Sequence, residues 1–302
     1  MSTTNRFRLP PLPGFLGCRK VLTQPFTGTL IDAIGVHYPE VPPAEWAPRF
    51  ARGHVCDALG GSLMPDSHCR TPFELHYYRP FSEAPLPVTE TILFQDEQLV
   101  VVDKPHFLPV HPAGKYLRET LVARLIARLG NPALTPLHRL DRATAGLVLF
   151  SCQRATRGLY QNLFRDRQVQ KHYEALAAPL PQHDFPLERR TRLVRHPDGF
   201  RAMEVAGEPN AETRIAVHDA SGPLWRYALH PQTGQMHQLR VHMNALGAPI
   251  ANDPWYPDAL PSGPDDYTRP LQLLAQGLRF VDPLTGAQRE FRSGLRLACG
   301  SA

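Results

Sequence analysis

The chain has 302 residues, 42% hydrophobic and 20% charged, which is enough to bury a core and too apolar for wholesale disorder. Its net charge of +5 admits a polyanionic partner without requiring one. Cys18, Cys56, Cys69, Cys152 and Cys299 are scattered with no CxxC pair, which excludes a disulfide framework or a cysteine-based metal site. No run approaches membrane-spanning length and the start, MSTTNRFRLPPLPGF, lacks an apolar signal core, so a cytoplasmic protein without a membrane partner is expected. Its basic residues are mostly arginine, with Lys20, Lys104, Lys115 and Lys171 as the lysines; arginine suits phosphate contact and stacking.

In chain order, residues 1 to about 20 read as an irregular leader, with Pro10, Pro11 and Pro13 against a regular element. Short helices are predicted over Thr29–Tyr38 and Pro43–Ala51, the second opened by proline and followed by Gly53. His54–Asp57 and Phe73–Arg79 alternate as short strands, and the proline-rich stretch Pro80–Pro87 marks a domain boundary. Residues 1–84 and 85–302 are therefore taken as separate domains. Thr91–Asp103 reads as a hairpin, and Glu119–Leu129 as a helix ended by Gly130. A helix over Gln153–Arg167 would bury Leu159, Leu163 and Phe164 and present an arginine face to solvent. Strands follow at His172–Ala177, Thr213–His218 and Leu224–His230, then a helix over His237–Ala245 and a strand pair within Leu271–Phe291. The mixture lacks a βαβ rhythm. It predicts an α+β fold with a largely antiparallel sheet and flanking helices.

Two segments carry chemistry. In His138–Phe150, HRLDRATAGLVLF, Asp141 lies between Arg139 and Arg142, ahead of the turn Thr144-Ala145-Gly146 and a buried strand. Nearby cations favour an ionised carboxylate, which beside a turn can serve as a nucleophile; a structural ion pair is the alternative. In His230–Tyr256, HPQTGQMHQLRVHMNALGAPIANDPWY, a helix opened by His237 puts Arg240 and Asn244 on one face. His237 and His242 are five apart, which misses the spacing of a helical zinc pair.

These segments, in this order, resemble the RluA-type family of RNA pseudouridine synthases. The family pattern runs from an HRLD-x-x-TSG segment through a K-x-Y-x-A strand to TGRTHQIRVH and a GDPLYG-like loop. Here it is matched by His138–Gly146, by Lys171-His172-Tyr173-Glu174-Ala175, and by Thr233–His242 followed by Asn252-Asp253-Pro254-Trp255-Tyr256. Upstream, Val101-Val102-Asp103-Lys104-Pro105 and Val110-His111-Pro112 resemble the entry into the catalytic domain. The resemblance implies a pseudouridine synthase that needs no cofactor and no metal and acts on rRNA or tRNA; a monomer is expected, with nothing in the sequence that determines it. Asp141 would be the nucleophile, Tyr173 would stack on the target base, and Arg240 would pair with Asp141. Arg139 would fill the place vacated by the flipped uridine. His138, Thr144, Lys171, Gln235 and His237 would contact RNA or support the site, with His138, Lys171 and His237 read as structural or RNA-contacting rather than as acid–base catalysts. The small module at residues 20–80 would be of αL type, with Trp46, Arg49 and Arg52 near its RNA face.

Three departures stand out. Ala145 replaces a usual Ser, Gln235 and Met236 replace Arg and Thr, and Leu273-Leu274-Ala275 replaces Leu-His-Ala. They leave Asp141, Tyr173 and Arg240 in place and bear on RNA contacts more than on catalysis; Ala145, Gln235 and Met236 are the best support for the main alternative, an RNA-binding or RNA-folding protein that keeps the fold without its activity. A glycosidase-like enzyme on a small nucleoside is disfavoured because the pattern offers no second carboxylate.

Overall fold

The computed structural model describes residues 9–10, 15–80, 83–113, 116–259 and 263–298. Pro11, Pro13, Lys115 and Cys299 lie outside them. The chain divides into two compact units, Met1–Glu83 and Ala84–Ala302.

The first unit runs β1 (Phe15–Leu22), β2 (Thr27–Thr29), α1 (Leu30–His37), α2 (Pro43–Ala51), β3 (Val55–Cys56), β4 (His68–Arg70) and β5 (Phe73–Pro80). Strand β1 corrects the expectation of a leader reaching residue 20, since it pairs antiparallel with β5 along its whole length. Lys20 and Val21 sit within a ladder that local composition does not announce. Thr29 caps α1 by accepting from the Asp32 N–H. The core gathers Leu30, Ile34, Trp46, Phe50, Val55 and Leu75. Trp46 is 1% exposed, so it is a core residue and not part of an RNA face; the Arg49 guanidinium covers its ring at 4.4 Å.

The second unit contains β6 (Thr91–Gln95), β7 (Leu99–Lys104), α3 (Leu121–Leu129), β8 (Thr135–Pro136), β9 (Ala145–Ser151), α4 (Arg157–Arg165) and β10 (Gln170–Ala177). It continues through β11 (Leu187–Arg195), β12 (Ala202–Val205), β13 (Ala211–Asp219), β14 (Trp225–Pro231), α5 (Gln238–Ala245), β15 (Leu273–Val281) and β16 (Gln288–Arg292). The strands form one eleven-stranded sheet in the order β12-β11-β13-β14-β10-β15-β9-β7-β6, with β16 on β15 and β8 on β9. Among the described residues its pairings are antiparallel except β9 with β15. The α+β class with a largely antiparallel sheet is thus observed. Strands β11 and β12 escape the sequence reading because β11, LERRTRLVR, buries only Leu193 fully. Helix α4 is shorter than expected and turns Tyr160 and Leu163 inward, leaving Leu159 44% exposed.

The β9–β15 junction places the site. Gly146 has φ +110°, and a Cβ there would lie 2.3 Å from the Ala275 carbonyl oxygen. Only glycine permits that conformation with so close a backbone approach. The central strands β7 and β9 are buried at every position, as expected for strands covered on both faces.

Candidate active site

Asp141 opens a tight turn closed by the Thr144 N–H on its own carbonyl at 3.1 Å. The turn is tied from below. Lys104, the last residue of β7 and fully buried, donates from Nζ to the Pro105 and Leu108 carbonyls at 2.9 Å each and to the Arg142 carbonyl at 3.2 Å. His106 donates from Nδ1 to the Ala143 carbonyl at 2.7 Å. Burial pushes the Lys104 ammonium down to about 7, against the opposing pull of Asp141. On the entering side, His138 accepts from the Leu149 N–H at 3.2 Å and stacks on Phe164. Burial, aided by the Lys171 charge, holds that imidazole neutral, down to about 3. On the leaving side, Arg142 is engaged by Asp265 through two bonds of 2.8 and 2.6 Å. The two arginines flanking Asp141 therefore part company: Arg142 is a structural cation, while Arg139 is exposed on the wall of a cavity.

Arg240 comes from α5 and is 2% exposed. Its main partner is not Asp141 but Asp253, which it grips with Nε–Oδ2 at 2.8 Å and Nη2–Oδ1 at 2.6 Å. Only Nη1 reaches Asp141, at 3.4 Å from Oδ2. The expected pairing is present but secondary, because a fork-shaped guanidinium satisfies one carboxylate bidentately and has one nitrogen left over. Burial works against the charge of Arg240, yet its bonds to Asp253 outweigh burial and raise its pKa. Asp253 also accepts from the Trp255 and Tyr256 N–H groups. The rings of those two residues lie 5.1 and 5.3 Å from the guanidinium carbon. The sequence places Asp253 in the matched loop but assigns it no role; the signal available was its place in the Asn252-Asp253-Pro254-Trp255-Tyr256 segment.

Between these walls lies a cavity of about 550 Å³, lined by Asp141, Arg139, Tyr173, Lys171, His237 and Arg240 among others. Tyr173 sits where β10 and β15 slip register, His172 facing Gly277 and Tyr173 facing Ala275. The bulge, opposite Gln276, turns the ring between the two main apolar clusters. Burial and then the charge of Asp141 raise the Tyr173 hydroxyl well above its usual range, so it stays a phenol. Lys171 donates to the Thr233 carbonyl at 2.8 Å, fastening β10 to the turn before α5; burial brings it down to about 8. Gln235 and Thr233 both donate to the Gln238 side-chain oxygen, and Thr144 is buried on the cavity wall. Arg165 and Arg167, expected on a solvated face, also line the cavity.

The departures from the family pattern have a packing account. Ala145 and Leu274 are register partners across the parallel junction and share a buried cluster with Leu176 and Leu297. Two polar positions of the family pattern are thus replaced together by an apolar pair. Met236 packs beside Leu193, Val241 and Tyr256. Asp141, Tyr173 and Arg240 stand in place beside these changes, although Gln235 and Met236 line the same cavity.

Comparison with known proteins places the chain among relatives of one family. Residues 98–245 match the family model described as RNA pseudouridylate synthase. The chain is 34% identical over 216 residues to the human pseudouridylate synthase RPUSD2, covering 68% of this chain and 39% of that protein. It is 32% identical over 205 residues to the dual-specificity RNA pseudouridine synthase RluA of Salmonella typhi, covering 67% of this chain and 91% of that protein. The solved structure of human RNA pseudouridylate synthase domain containing 4 superposes with a TM-score of 0.54 at 28% identity, over 68% of this chain and 88% of that one. The chain spans well under half of the human RPUSD2 sequence, but nearly all of the bacterial relative. It belongs to the RluA-type family of RNA pseudouridine synthases.

Proposed function

We propose that the chain isomerises uridine to pseudouridine in RNA, with Asp141 as nucleophile, and that it uses neither metal nor cofactor. The carrying observation is a carboxylate that opens into a cavity with only a long contact to its counter-ion. Asp141 attacks ribose C1′ as the N1–C1′ bond breaks, and uracil leaves as a delocalised anion. The freed base turns on the Tyr173 ring, and C5 bonds to C1′ as the carboxylate departs. Arg240 stabilises charge on the carboxylate as it is released. A uridine in a paired region must leave its stack to reach Asp141, and Arg139 at the rim fills the gap. A second carboxylate, Asp253, stands close by, but its oxygens are taken up by Arg240 and two backbone N–H groups, which disfavours a glycosidase reading.

The substrate is rRNA or tRNA; a yeast relative, 33% identical over 177 residues, is described as a tRNA pseudouridine(32) synthase, which supports tRNA. In this reading the protein is a cytoplasmic monomer, and the N-terminal unit is an αL-type module that adds RNA affinity through Arg49 and Arg52. Residues 1–84 and 85–302 then form the RNA-binding and catalytic domains. Tritium release from RNA labelled at uridine C5 tests the reading. Wild type should release label and Asp141→Asn should not; release by that variant would remove Asp141 from its role. An RNA-folding protein without activity would bind the same transcripts and release nothing.

A further inference from the structure

Forming the C5–C1′ bond leaves a proton on a tetrahedral C5, and that proton must go to a base. We infer that His237 is that base, held by Tyr256 as the tautomer with its proton on Nδ1 and its Nε2 lone pair turned to the reacting atoms. The inference rests on the function proposed above.

Hydrogen-bond accounting fixes the tautomer. The Tyr256 hydroxyl donates to the carbonyl of Ala202 at 2.9 Å and accepts from the N–H of the same residue at 2.8 Å. Its single proton is thereby used, so the third contact, 3.0 Å from His237 Nδ1, is donated by the histidine. A neutral imidazole with its proton on Nδ1 is an acceptor at Nε2. That atom lies 3.8 Å from Asp141 Oδ2. Two acceptors facing each other at this separation leave a place for a group that brings a proton.

The place matches the chemistry. Asp141 attacks C1′, and C5 is bonded to C1′ in the adduct, so the C5 proton lies within a few bond lengths of the Asp141 oxygens. The other groups around the carboxylate are poorly suited. Arg240 is a buried cation, Lys104 spends its ammonium on three carbonyls, and Lys171 donates to Thr233. Tyr173 stays protonated, and burial keeps His237 neutral down to about 4 despite the Asp141 charge. His237 also carries a backbone φ of +53°, uncommon for a non-glycine residue and held only where surroundings impose it. The N-terminal end of α5 is thus shaped to present this ring.

The step balances. The Nε2 lone pair takes the C5 proton, the C5–H electrons form the C5–C6 double bond, and the N1–C6 π electrons move to N1, which takes a proton from water. His237 returns its proton to solvent, and no oxidant or reductant enters.

The test uses the full chain with unmodified rRNA and tRNA transcripts carrying hydrogen or deuterium at uridine C5. Glycine and asparagine adopt positive φ readily, so His237→Gly and His237→Asn keep the fold, checked by their melting curves. Both should turn over about 100-fold more slowly and show a primary isotope effect that wild type lacks, because proton removal becomes rate-limiting. Added imidazole should restore turnover to His237→Gly alone. Turnover by either folded variant within about threefold of wild type overturns the inference, as does a loss with neither isotope effect nor rescue. Inactivity of wild type on every transcript overturns instead the function on which the inference rests.

Discussion

Asp253 and Asp141 meet one guanidinium from two different regions, and the regions treat their carboxylates in opposite ways. The loop over residues 252–256 encloses Asp253 completely, with a side-chain exposure of 0%, while the turn over residues 138–144 leaves Asp141 21% exposed. Asp253 takes two short bonds from Arg240 and two from backbone N–H groups. Asp141 takes one long one. A fully satisfied carboxylate is an anchor, whereas one left open beside a positioned cation is available to react. The same ion therefore serves structure on one side and, in the proposed reaction, chemistry on the other.

Exchanging the charges one at a time is the sharpest way to break this comparison. Asp141→Asn should lower C5 tritium release at least about 1,000-fold and change the urea midpoint little. Asp253→Asn should do the reverse first. Leaving Arg240 buried without its partner should cost about 3–5 kcal/mol of stability, with activity falling as the guanidinium moves. If Asp253→Asn proves as stable as wild type, the anchoring role fails. Gly146→Ala probes the strand behind the Asp141 turn: strain at positive φ and the clash with the Ala275 backbone should cost about 3 kcal/mol, read by chemical denaturation.

A pH series sharpens the comparison further, because a histidine stands between the two regions. Burial takes His138, His237 and His242 from 6.5 to about 3, 4 and 4. The unfolded chain then binds protons that the native chain refuses. The stability these histidines contribute is full above about pH 6.5 and is lost progressively as pH falls toward about 4. Urea midpoints between pH 7 and 4.5 should show that fall, and His237→Asn should make it shallower by about one proton. The smallest effect is expected at the stacking ring. Tyr173→Phe should keep activity within about tenfold, while Tyr173→Ala loses the stacking contact, worth about 1–3 kcal/mol; equal losses in the two variants would assign the hydroxyl a role.

Much of this was legible before any coordinates. The helices at Leu30–His37, Pro43–Ala51 and Leu121–Leu129 carry their own start and stop signals, and the apolar run Gly146–Phe150 reads as a buried strand. Strands β1, β11 and β12 were not legible, because their stability comes from partners distant in sequence. Trp46 misled for a related reason: an aromatic beside arginines reads as a binding surface until a core is seen to enclose it.

The sequence by itself determined the order of the segments, and their resemblance to the family pattern pointed to Asp141, Tyr173 and Arg240 as the candidate site. It could not determine which carboxylate Arg240 grips first, because residues 141 and 253 approach it from separate elements and local sequence carries no distances. The tertiary structure decided that, along with the bulge that aims Tyr173 and the chain from Ala202 through Tyr256 that selects the His237 tautomer. Those features follow from long-range pairing in a sheet, where the position of one atom depends on strands folded far from it in the chain.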